Sequence, residues 1–174
     1  MTVKILPCLA LLTACAITPQ AGSEVPLRKV LADHAGQFEC IDYQAASDSC
    51  TALGRSRVEG DTVIETALYA FDEGLPAQVK VVSRHRFSGD SLCGLTAPVK
   101  ITVTSEGTPQ VNEAIKKLFA KAMNDSIPNL CTRYYRDGEG YINVTTDLKG
   151  SVVPDSAIKS RFFDEQKNLR VKKL

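Results

Sequence analysis

Three short turn sequences, Glu59-Gly60-Asp61, Asp72-Glu73-Gly74 and Ser88-Gly89-Asp90, separate runs in which apolar and polar residues alternate. Glycine and aspartate tolerate the left-handed backbone of a tight turn, and connections this short join only antiparallel neighbours. The segment from 51 to 87 is therefore expected to form a three-stranded meander, with strands over 51–58, 62–71 and 78–87. Further strands are predicted over 38–43 and 99–104, then over 131–136 and 141–148 around Asp137-Gly138-Glu139-Gly140, with a short last strand at 161–163.

Two segments carry the helical period instead. Pro26 opens a short one in which Leu27, Val30 and Leu31 share a face and Gly36 ends it. The second, about 110–124, places Val111, Ala114, Ile115, Leu118, Phe119 and Ala122 at helical spacing, with Thr108 as N-cap and Pro109 at the first helical position. Runs of strands with one substantial helix predict an α+β fold, a mainly antiparallel β-meander sheet packed by that helix and the short N-terminal one. Cys50-Thr51, Arg55, Gly60-Asp61 and Ile64 echo Cys131-Thr132, Arg136, Gly138-Glu139 and Ile142, but the spacing slips by three residues. The echo reads as a chance match between two hairpins.

The N-terminus carries the signal that places the chain. Lys4 supplies a positive charge, and the following ten residues to Ala14 are apolar apart from Pro7 and Thr13. The run ends in Leu12-Thr13-Ala14-Cys15, which resembles a bacterial lipobox. The resemblance covers only this segment and implies cleavage before Cys15, lipidation of Cys15 (palmitate among the acyl groups), and a lipid-anchored protein of the cell envelope. Ala16 at the following position implies the outer membrane, facing the periplasm. Ordinary signal cleavage after Ala16 is the alternative, releasing a soluble periplasmic chain. The domain plan is thus a signal peptide over 1–14, a lipidated tether over 15–24 and one domain over 25–174. About 150 residues suffice for a single domain with its own core.

Export gives the cysteines their meaning. Cys8 leaves with the signal, Cys15 is acylated, and Cys40, Cys50, Cys93 and Cys131 remain. An even number in an oxidising compartment predicts two disulfides. Of three possible connectivities, Cys40–Cys50 and Cys93–Cys131 are expected, the first closing a short loop and the second tying the sheet to the segment after the helix. No CxxC pair occurs, so these cysteines do not read as a zinc site.

Charge and motifs bound the function. Lys and Arg number 21 against 20 Asp and Glu, and removing Lys4 with the signal leaves the chain neutral, unlike a nucleic-acid-binding domain. His34 falls at the end of the first helix, where a cation complements the dipole. His85 lies between Arg84 and Arg86 on a strand and faces opposite to both; it reads as a structural histidine. Two isolated histidines outside any HExxH pattern predict neither a metal nor a cofactor. Ser88-Gly89-Asp90-Ser91 lacks a nucleophile elbow and reads as a turn.

The candidate contact surface is basic and aromatic: Arg133, Tyr134, Tyr135 and Arg136, on a strand whose members alternate between faces, together with Lys172 and Lys173 in a basic C-terminal stretch that reads first as a solubilising tail. Such groups suit envelope proteins, anionic envelope polymers or lipid headgroups. The expected function is a non-enzymatic binding module held at a membrane by its anchor. The alternative is a periplasmic hydrolase, or a hydrophobic-ligand carrier, with a site assembled from distant residues.

Overall fold

A computed structural model describes residues 22–72 and 74–171. The lipobox-like segment with Cys15, and Lys172 and Lys173, lie outside the described residues. The chain runs through β1 (Glu24–Val25), α1 (Leu27–Asp33), β2 (Phe38–Ile41), β3 (Ser49–Cys50) and β4 (Ala52–Glu59). It continues through β5 (Thr62–Asp72), β6 (Pro76–Ser88), β7 (Ser91–Cys93) and β8 (Lys100–Ser105) to α2 (Pro109–Ser126). After a 3-10 turn at Ile127–Asn129 come β9 (Leu130–Asp137), β10 (Gly140–Asp147), β11 (Ile158–Phe163) and β12 (Asn168–Leu169).

The expected meander is present, but the expected α+β sheet is not. Strands make up 50% of the structure, and the order β9-β10-β11-β2-β4-β5-β6-β7 returns to β9 through a β7–β9 pairing. Every pairing around this ring is antiparallel. The sheet is therefore a closed eight-stranded antiparallel β-barrel, not an open sheet backed by a helix. Closure removes the two long edges of the eight-stranded ring, leaving only the short β8 and β1 with a single partner each.

The seam is narrow. β7 pairs with β9 only through Leu92↔Thr132 and Cys93↔Cys131. Beyond its ends, β8 extends along β6 from Ala77 to Val82, and β1 pairs with Tyr134 and Tyr135 of β9. Gly22 N–H also donates to Arg136 O at 3.0 Å, so the last residues of the segment read as tether are zipped onto the barrel.

Alternation sorts side chains between lumen and outer wall. On β6, buried Val79, Val81, Ser83 and His85 alternate with exposed Lys80, Arg84 and Arg86. One end of the lumen is plugged by α1, whose Leu27, Val30 and Leu31 pack with Val63, Tyr134 and Tyr141. The other end lies under α2, where Ile115, Phe119 and Met123 meet Val79, Val81 and Ile101. Thr108 caps α2 as expected, accepting from Val111 N–H at 3.4 Å. Its buried line is narrower than the apolar stripe: Val111 and Leu118 remain 40% and 59% exposed. A barrel rim offers a helix less surface than a sheet face would. The outward cations of β6 face water or a polar partner, the reverse of the apolar band of a lipid-facing barrel. Among the described residues, no helix is long and apolar enough to cross a membrane.

Both expected disulfides form. Cys40–Cys50 (Cα–Cα 5.4 Å) lies in a third cluster outside the barrel with Leu53, Phe38 and Phe163. Parallel pairing of β12 with β3 runs beside it. Cys93–Cys131 (Cα–Cα 4.1 Å) joins register partners across the seam. Sequence separations of 10 and 38 correspond to roughly 3 and 4 kcal/mol in the loop-entropy treatment. Urea denaturation should therefore show Cys93→Ser/Cys131→Ser destabilised by about 4 kcal/mol, the larger loss of the two pairs. An unchanged midpoint would mean that strand pairing alone holds the seam.

Candidate functional site

The lumen is filled by layers. Next to α1, His34 stacks on Phe162 (ring centroids 4.0 Å apart, planes 8° from parallel) and its Nε2 lies 3.0 Å from Tyr141 Oη. This histidine joins the plug to the barrel wall, a role more specific than the helix-end charge expected of it. Tyr141 also meets Tyr134 and Phe162 edge to face.

Above the plug the interior turns polar. Glu39 of β2 is 6% exposed. Its carboxylate accepts from Tyr134 Oη, 3.0 Å from both oxygens, and from Asn143 Nδ2 at 2.9 Å. Ser160 Oγ donates in turn to Asn143 Oδ1 at 3.2 Å. Burial nevertheless holds the Glu39 pKa above its ordinary value: desolvation outweighs the Asn143 hydrogen bond, and the nearby Glu65 charge adds to the rise. The two carboxylates approach each other across Gly54, where a Cβ would stand 3.7 Å from an oxygen of each. Tyr134 is thus one of two donors to a buried acid, with a phenol pushed upward first by burial and then by Glu39.

Between this layer and α2 lies a cavity of about 200 Å³. Its apolar wall includes Ala67, Val81, Leu92 and Leu130, with Met123 and Ile127 forming the roof. Its polar wall is Glu65, Tyr69, Ser83, His85, Thr132 and Thr145. All the strand residues occupy inward positions: Glu65 opposes Ser83, Val63 opposes His85, and Thr132 opposes both Leu92 and Thr145.

Hydrogen bonds define the state of His85. Nδ1 lies 2.7 Å from Gly94 O and Nε2 lies 2.8 Å from Ser83 Oγ. The carbonyl only accepts, so Nδ1 carries the proton and Nε2 accepts from the Ser83 hydroxyl. Burial lowers the His85 pKa against the opposing Gly94 bond, keeping the ring neutral near pH 7. Glu65 Oε2 is 3.7 Å from the same Nε2, beyond hydrogen-bond reach of a nitrogen already occupied. Among the described residues the Glu65 carboxylate accepts no hydrogen bond from the protein. Its side chain keeps 31% of its surface accessible, and because it lines the cavity, that surface opens into the lumen. Desolvation raises its pKa. His85 and Glu65 are each pushed towards the neutral form, so proximity does not make them an ion pair.

The other expected contact residues do not form one surface. β9 divides them: Tyr134 enters the lumen, Arg136 sits 4.4 Å over the Tyr141 ring, and Arg133 lies 3.6 Å from Glu24. Tyr135 pairs with Glu24 and Ile142. Glu65 and Ser83 were not singled out by motif. Their signal is phase: Glu65 stands between buried Val63 and Ala67, and Ser83 between buried Val81 and His85, so each falls on the inward face of its strand. Among the described residues, no three His, Cys, Asp or Glu side chains are placed to hold a metal ion. Compared with known protein families, curated proteins and solved structures, the chain matches none.

A folded-state pKa raised by desolvation means that the fold tolerates Glu65 better protonated than ionised. Its contribution is intact below the ordinary value of 4.5 and is lost as pH rises through the higher folded value. Glu65→Gln should therefore gain stability relative to wild type between acidic pH and pH 8, read as a growing difference in urea midpoint. A difference that is flat with pH would mean that Glu65 is solvated like a surface acid.

Proposed function

We propose that this chain is an envelope lipoprotein, anchored through Cys15, whose barrel is a non-enzymatic binding module for a compact amine or similarly cationic ligand. The observation that carries the reading is Glu65: a carboxylate with no partner among the described residues, desolvated at a cost, whose accessible surface faces the lumen cavity. A buried acid with no protein donor is expensive unless a ligand supplies the donor. Thr132, Thr145 and Tyr69 add hydroxyl groups around it, while Ala67, Val81, Leu92 and Met123 accept an apolar body. A cavity near 150 Å³ holds benzene, so about 200 Å³ suits a ligand of about eight non-hydrogen atoms. A long acyl chain does not fit that space.

Hydrolysis by Ser83 is the second reading, favoured by its 2.8 Å bond to His85. The geometry supports it less well. In a triad the acid orients the far ring nitrogen, whereas here that nitrogen bonds a backbone carbonyl, and Glu65 lies beside the nitrogen that Ser83 uses. Ser83 and His85 also sit two apart on one strand. The Arg84 carbonyl accepts from Thr96 N–H, so the backbone groups of Ser83 and His85 point the other way, into the β5 ladder. They are not available as oxyanion donors.

Calorimetry with a panel of small primary amines, benzylamine among them, tests the binding reading. Benzylamine is expected to bind at least about tenfold more tightly than toluene or benzyl alcohol, because a charge-assisted contact outweighs a neutral one. Its affinity should rise with pH through the raised Glu65 pKa, since the carboxylate must be charged to receive the ammonium. Glu65→Gln should lose that preference, and Ala67→Leu should fill the cavity and abolish binding without unfolding the barrel. Amine binding indifferent to Glu65→Gln, or no binding by any member of the panel, would overturn the proposal. Labelling of Ser83 by a fluorophosphonate probe would favour the hydrolase.

A further inference from the structure

The outer wall of the β4-β5-β6 meander carries a second feature, separate from the lumen. A groove of about 980 Å³ runs over it, and its lining includes Arg55, Arg57, Lys80 and Arg84 but no carboxylate. All four cations are exposed. The chain as a whole carries nearly equal numbers of acidic and basic residues, so this one-sided charge is a property of placement rather than composition.

Strand register explains the placement. Arg57 and Arg84 flank Ile64 on the two strands either side of β5, and Arg55 opposes Thr66, which opposes Val82. Outward residues two apart on a strand lie about 7 Å from each other, and equivalent positions two strands apart about 10 Å. The groove thus presents positive charges at intervals of roughly 7–10 Å. Their partners within the protein are few. Arg57 pairs with Glu59 at 2.7 Å and Arg55 lies 5.0 Å over the Phe38 ring. Among the described residues, Lys80 and Arg84 form no ion pair. Between the cations stand Thr66, Gln78 and Gln166, groups that hydrogen-bond hydroxyl-rich ligands.

We propose that this groove binds a chain of carboxylate-bearing glycan. Charge complementarity selects an anionic partner, and the concave form selects a single chain over a bilayer surface, which is flat and is met by projecting cations. The amide and hydroxyl groups between the cations match sugar hydroxyls, and the one aromatic ring in the lining, Phe38, already lies under Arg55, leaving no stacking platform for nucleobases. The outer wall is therefore the polymer-binding face of the barrel, in place of the β9 run.

Binding of the full chain to oligogalacturonate, followed by calorimetry at low and moderate salt, tests this directly. The expected result is binding that weakens with salt, with neutral dextran not bound. Arg57→Gln/Arg84→Gln should weaken it about tenfold or more, and Lys80→Gln should weaken it less, with melting temperatures unchanged. Glu65→Gln should leave it intact, because the lumen is a separate site. The proposal is overturned if oligogalacturonate does not bind, if the double variant binds like wild type, or if phosphatidylglycerol vesicles or single-stranded DNA bind more tightly than the glycan.

Discussion

Two residue pairs, Leu92↔Thr132 and Cys93↔Cys131, decide whether this sheet has edges. Without them β7 and the start of β9 would be left unpaired along the seam, and the inward faces of eight strands would have no common interior. The three-residue β7 is too short to hold such a junction strongly by its own hydrogen bonds. The disulfide between its last residue and β9 fixes the register at the point of closure. Everything inside follows from that junction, because inward residues of β5 and β6 come to face those of β9 and β10 only when the ring is shut.

A closed lumen of this size is normally packed with apolar side chains. Here α1 and its aromatic neighbours fill one end in that way, but the middle holds Glu39, Asn143 and Ser160, and above them Glu65, Ser83 and His85. The first group is satisfied internally: Tyr134 and Asn143 donate to Glu39. Glu65 is not, although it shares the same interior. One carboxylate is built into the structure as a hydrogen-bonded network, while the other is left open to a cavity. That difference between two chemically identical groups separates a structural acid from the one to which we assign ligand binding.

Much of the wall was legible in sequence, because its signals are local. The Gly-Asp turns and alternating runs located β4, β5 and β6, and Asp137-Gly138-Glu139-Gly140 located the β9–β10 hairpin. Closure was not legible. β7 is three residues directly after a turn, too short to show a period, and its pairing with β9 is a long-range event. Its one trace was Cys93, whose expected bond to Cys131 marks the seam. The helix illustrates the same limit: Leu118 belongs to the apolar stripe by spacing, yet the rim buries only the line through Ile115, Phe119 and Met123. In the lumen, His85 drew attention by residue type. Glu65 and Ser83 required the register, since only pairing shows that they converge on it. Alternation along Arg133-Tyr134-Tyr135-Arg136 was legible, but which of the two faces turns inward was not, and the pairing with β10 and β1 decides that it is the face of Tyr134.

The binding assignment depends on Glu65 being a desolvated acid open to the lumen. The most direct measurement is a carbon-13 NMR titration of its side-chain carboxyl in the ligand-free protein, assigned by comparison with Glu65→Gln. The structure predicts a midpoint above the ordinary 4.5. A midpoint at or below that value would show the carboxylate to be solvated or already partnered, and would contradict the assignment of the lumen as a binding site.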